Sequence, residues 1–138
     1  MKVFFDTNVY VAEAILGQAA ERMVEATQRA SWRICVNDHV LDEVERVLTT
    51  KLGFARRFAI LTQNRIARRA ALVHSGALRH AVPDDPNDSP ILSEAIAVGA
   101  DYLVTNDTHL LGLNPYHGLR IVSMNEYQQI LIQQGLLT

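Results

Sequence analysis

The chain has 138 residues, 49% apolar and 20% charged, with a formal net charge of -2. That suits one compact domain with side chains enough for a core, and a second domain is not expected. The first apolar stretch breaks at Asp6, too soon for a signal peptide or membrane span, and a lone cysteine, Cys35, excludes an internal disulfide. A cytoplasmic protein is expected, with Cys35 packed as a small buried hydrophobe.

Val3 to Phe5 reads as the first strand. A helical stretch follows from about Val9 to Ala30, interrupted near Gly17 because glycine weakens a helix interior. Trp32 to Val36 is the second strand, ended by the turn-former Asn37. Leu41, Val44, Val47 and Leu48 then recur at spacings of three and four, an amphipathic helix that starts at Val40 and ends near Gly53, with Glu43 off its apolar stripe. Phe54 to His74 is expected as the next helix, with Phe58, Leu61, Ile66 and Leu72 as core contacts and Arg65, Arg68 and Arg69 on one face.

A short strand is expected over Leu78 to Val82, then a loop reaching Asp88. Asp88 or Ser89 caps the following helix, Pro90 sits in its first turn, and Ile91, Leu92, Ala95 and Ile96 form its buried stripe before Gly99. Tyr102 to Val104 and Leu119 to Val122 complete the sheet, and Ser123 with Glu126 is a capping box opening the last helix. Alternating strands and helices predict an α/β domain with a parallel sheet covered on both faces.

Asp6 and Asp107 leave the carboxyl ends of two such strands, the edge where open parallel sheets bind ligands. Both also suit helix caps, which for Asp107 is an even alternative; Asp6 directly follows three apolar residues, and burying it unpaired would be costly. Glu43 competes with Asp42 and Glu45, and with the simpler role of complementing a helix dipole. Asp88 competes with Asp84 and Asp85, and with capping. Gathered together such acids repel, by about 4 kcal/mol for two charges about 4 Å apart at an effective dielectric of about 20. Divalent cations make the arrangement reasonable, and oxygen donors suit Mg2+ or Mn2+. Asn8 and Thr105 could orient carboxylates or water, or serve only as turn residues. The five histidines show no ligand spacing, and no phosphate-binding glycine loop is present.

Charge is segregated along the chain. From Arg46 to Pro83 the charged residues are all basic (Arg46, Lys51, Arg56, Arg57, Arg65, Arg68, Arg69, Arg79). From Asp84 to Asp107 they are all acidic (Asp84, Asp85, Asp88, Glu94, Asp101, Asp107). A basic lobe facing an acidic pocket would hold a polyanion and cut it, with Arg65, Arg68 and Arg69 as the RNA-binding face; a solvated helix surface is the plainer alternative.

The segments Phe4-Phe5-Asp6-Thr7-Asn8-Val9, Val40-Leu41-Asp42-Glu43-Val44, Asp85-Pro86-Asn87-Asp88 through Leu92 and Ala95, and Gly99 through Asp107 together resemble the PIN-domain family. The likeness spans nearly the whole chain and is nearest to stand-alone prokaryotic PIN proteins of toxin-antitoxin pairs, the VapC-like type. It implies a three-layer α/β/α sandwich with a central parallel sheet of four to five strands and Mg2+- or Mn2+-dependent endoribonuclease activity. On the matching positions, Asp6, Glu43, Asp88 and Asp107 would be the catalytic and metal-binding quartet, with Thr105 a nearby polar helper. His109 departs from the pattern, standing where relatives often carry a further acid. The resemblance also implies an RNA substrate, a cognate antitoxin and a homodimer. Two other functions compete. An aspartyl-phosphate protein needs a lysine after a later strand, where neither Lys2 nor Lys51 stands. A non-catalytic PIN-fold module binding RNA or antitoxin would keep the fold without the chemistry.

Overall fold

The computed structural model describes residues 1–74 and 89–138. Five strands, Lys2–Phe5 (β1), Arg33–Val36 (β2), Ala71–Leu72 (β3), Tyr102–Val104 (β4) and Arg120–Val122 (β5), form one parallel sheet in the order β3-β2-β1-β4-β5. The central strand β1 buries Val3, Phe4 and Phe5 completely, as a strand covered on both faces must. Helices Thr7–Leu16 (α1), Gln18–Arg29 (α2), Asp38–Arg46 (α3), Arg56–Arg69 (α4), Ser89–Ala97 (α5), Thr108–Leu111 (α6) and Met124–Gln133 (α7) clothe the sheet in a three-layer α/β/α sandwich. None of the described helices is long and apolar enough to cross a membrane.

Local chemistry sets several boundaries as expected. Gly17, at φ 76°, separates α1 from α2, a left-handed conformation that other residues adopt at a cost. Ser123 and Glu126 form the reciprocal capping box of α7. Asn37 caps α3 through the Val40 amide. Ile91, Leu92 and Ala95 are buried along α5, with Ile96 partly so. Cys35 is buried, and burial pushes its thiol pKa up.

The segment after Gly53 departs from expectation. The helix occupies Arg56–Arg69 only, and Ala71–Leu72 forms the edge strand by pairing with Cys35 and Val36. Alanine and leucine favour helix locally, but unpaired strand groups on β2 recruit them, a tertiary override of propensity. Leu61 and Leu72 are more than half exposed, whereas Ala59 and Ile66 are buried. The expected strand over Leu78 to Val82 lies outside the described residues.

Part of the basic run is paired with acids in space. Arg69 forks onto Glu13 of α1 with two contacts of 2.7 Å, Arg65 lies 3.7 Å from both Glu13 and Glu21, and Arg56 pairs with Glu45 at 3.3 Å. Acids from α1, α2 and α3 thus pair with three of the five arginines of α4, Arg56, Arg65 and Arg69, and leave Arg68 exposed. Glu13, an acid the sequence reading passed over, is only 3% exposed and holds α4 against α1.

Candidate active site

Strand order reverses at β1, whose neighbours β2 and β4 carry the chain away in opposite directions. Outside the carboxyl ends of strands at such a point lies a crevice, and here it holds Asp6 and Asp107. A cavity of about 500 Å3 opens there, lined by Asp6, Thr7, Asn8, His39, Glu43 and Asp107 together with side chains of α1 and of Val47, Lys51 and Leu52 just after α3. Three of the four expected acids therefore face one space, and the fourth, Asp88, lies outside the described residues with its rivals Asp84 and Asp85.

Asp6 is both cap and cavity wall. Its Oδ1 accepts from the Thr7 amide at 2.7 Å, and its Oδ2 accepts from the Thr105 hydroxyl at 2.7 Å and the Asn8 side-chain amide at 3.1 Å. Thr105 is fully buried, and its hydroxyl also accepts from the Asp107 amide and the Asn8 side chain. Asn8 and Thr105 thus tie the two strand ends together and fix the Asp6 rotamer. Burial raises the Asp6 pKa; hydrogen bonds from Thr105 and Thr7 oppose that rise, and the Asp107 charge adds to it.

Asp107 caps α6 through the His109 amide at 2.8 Å, with His109 Nδ1 3.6 Å from the same oxygen. Glu43 projects from the middle of α3, where Asp42 is exposed to solvent and Glu45 is turned towards Arg56 and Gln63. The Arg46 guanidinium grips both Glu43 oxygens at 3.0 Å, and that hydrogen bonding holds the Glu43 pKa below the usual carboxylate range.

The donor chemistry of the cavity fits a hard divalent cation. Among the described residues the buried Thr7 hydroxyl on the same wall has no hydrogen-bond partner, a further oxygen available to a hydrated ion. Among the described residues, however, no three Asp, Glu, His or Cys groups converge closely enough to hold an ion as they stand. Glu43 would have to release Arg46 to join one. His39 and Lys51 also line this cavity; the sequence reading gave His39 no role, and only its place two residues after the β2 turn signalled its nearness to the strand ends.

A model of the PIN domain family matches residues 2–109, from β1 into α6 and across the segments that carry Asp6, Glu43 and Asp107. No curated protein and no solved structure matches the chain. The match covers well over half of the sequence, and with the parallel sheet and the acids at its switch point it places this chain in the PIN domain family, whose members are generally nucleases.

Proposed function

We propose that this protein is a metal-dependent endoribonuclease and the toxin component of a toxin-antitoxin pair. The observation that carries the reading is the convergence of Asp6, Asp107 and Glu43 on one cavity at the sheet's switch point. Asp6, Glu43, Asp88 and Asp107 would hold Mg2+ or Mn2+, which supplies an activated water and charge neutralisation for hydrolysis of a phosphodiester. Thr105 and Asn8 aim the Asp6 carboxylate by donating to it, and the Thr105 hydrogen bond opposes the rise that burial imposes on its pKa. Arg46 holds Glu43 aside until a cation competes for it.

RNA would be drawn to the exposed Arg68 and, more weakly, to the half-shared Arg65, while Arg69 is spent on Glu13. A cognate antitoxin and a homodimer follow from the family resemblance. The gripped state of Glu43 favours one other reading, a PIN-fold module that binds RNA or antitoxin without cutting. One assay separates them: purified protein is incubated with RNA in Mg2+ or Mn2+ and after chelation. Cleavage that needs the metal and disappears in Asp6→Asn supports the nuclease; binding without cleavage under every condition supports the module.

A further inference from the structure

Resting on the nuclease reading, we propose that the same cavity contains a nucleotide subsite in which Lys51 anchors a backbone phosphate of single-stranded RNA and an aliphatic wall receives the adjoining base. The starting observation is a π-helical turn, Val47–Lys51, that continues α3. Its signature is the Leu52 amide donating to the Val47 carbonyl five residues back, at 2.9 Å. Such turns are uncommon and cluster at functional sites.

The wider turn decides where Lys51 points. In an α-helix each step of four residues drifts by about 40°, so position 51 would stand about 80° round from Glu43. A π turn of about 4.4 residues brings it back to within about 10° of the Glu43 direction. His39, Glu43, Val47 and Lys51, four residues apart in succession, accordingly all line the cavity. Lys51 is exposed and is the only Lys or Arg on that lining among the described residues. A cation on the same cavity lining as three carboxylates suits a ligand that brings its own negative charge to one end and needs the acids at the other.

Towards the mouth the lining is aliphatic and solvent-exposed. Ile15, Leu16 and Leu52 are 40%, 81% and 44% exposed at the mouth, continuous with Lys51. An unpaired base offers a flat apolar face for such a wall, next to a phosphate for the lysine, whereas a base within a duplex is already stacked and paired.

The test uses the full chain and a fluorescein-labelled single-stranded RNA oligonucleotide, followed by anisotropy in chelating buffer over a salt series. A parallel measurement of kcat and KM is made with Mn2+. Lys51→Gln is expected to weaken binding about 5- to 10-fold and to shrink the salt slope by about 0.7, the share of one single-strand phosphate. Lys51→Arg should restore both. KM should rise in Lys51→Gln with kcat within about twofold, because the lysine holds substrate away from the reacting atoms. Leu16→Ser, at a residue too exposed to matter for folding, should weaken binding without changing the slope. Arg22→Gln on α2 should change neither. Unaltered affinity and slope in Lys51→Gln would overturn the subsite. Unaltered RNA affinity in Leu16→Ser with loss of self-association would overturn it too, giving the wall to a second copy of the chain. A wild type that binds but never cleaves would sink the nuclease reading alone, and one that binds no RNA would sink both.

Discussion

The ion pair between Glu13 and Arg69 makes a quantitative demand on stability. Glu13 is 3% and Arg69 11% exposed, joined by two contacts of 2.7 Å. Opposite charges about 4 Å apart attract by about 4 kcal/mol at an effective dielectric of about 20, and breaking a buried pair from one side typically costs about 3–5 kcal/mol. Glu13→Gln strands Arg69 in that environment and should lose about that much, equivalent to a fall in Tm of roughly 9–25 °C at this chain length. Arg69→Met leaves Glu13 with Arg65 at 3.7 Å, so its loss should be about half as large. The double variant should be no worse than Glu13→Gln, since no buried charge is then left unanswered by Arg69. Urea unfolding is readable through the single tryptophan, Trp32, which stacks on Tyr102 at 6.2 Å between ring centroids. Glu13→Gln and Arg69→Met both within about 0.5 kcal/mol of wild type would refute the structural role. So would Arg69→Met with unchanged stability and a flatter salt dependence of RNA binding, because the arginine would then be a phosphate contact.

The other predictions concern the cavity and the thiol. The Asp6 pKa is raised in the fold, so its ionised form costs stability above that pKa and the cost fades as pH falls through it. Asp6→Asn should therefore lose cleavage yet match or exceed wild type in metal-free urea midpoint at pH 7, with the margin shrinking as pH falls towards the ordinary carboxylate range; a pH-independent loss of stability would contradict this. Arg46→Gln should let the Glu43 pKa rise towards the usual range and tighten Mn2+ binding several-fold with little change in folding, because the pair is a solvent-facing one. Weaker Mn2+ binding in that variant would show that Arg46 organises the site rather than holds Glu43 back. Cys35, buried and with its thiol pKa pushed up, should resist iodoacetamide until the chain is unfolded; labelling at equal rates in native buffer and in urea would contradict its burial.

Much of the fold was legible because parallel strands buried on both faces are short apolar runs, such as Val3 to Phe5 and Tyr102 to Val104, bounded by polar turn-formers. The positions of Asp6 and Asp107 followed from the same logic, since the last residue of a buried strand leads to the crevice. Charge was misleading for a physical reason. The stretch from Arg46 to Pro83 lacks acids in sequence, but Glu13 and Glu21 come to Arg65 and Arg69 from helices more than 40 residues earlier, and nothing local encodes that meeting. Ala71 and Leu72 likewise carry no strand signal; pairing with β2 makes them one. The π turn was invisible because Val47 to Lys51 satisfies an ordinary helical pattern. Glu43 could be chosen over Asp42 and Glu45 only through the family resemblance, and the cavity lining now separates the three by position.

The central claim is that the acids at the switch point act together on a divalent cation. Its most direct test is the Mn2+-induced rise in Tm, measured for wild type and for Asp6→Asn, Glu43→Gln, Asp88→Asn and Asp107→Asn. An ion that binds only the folded state stabilises it by about 2.7 kcal/mol at a hundred times Kd, a shift of roughly 8–14 °C for a chain of this length. The account predicts that rise in wild type and its loss in most part in each variant. No rise in wild type, or equal rises in all five proteins, would contradict it.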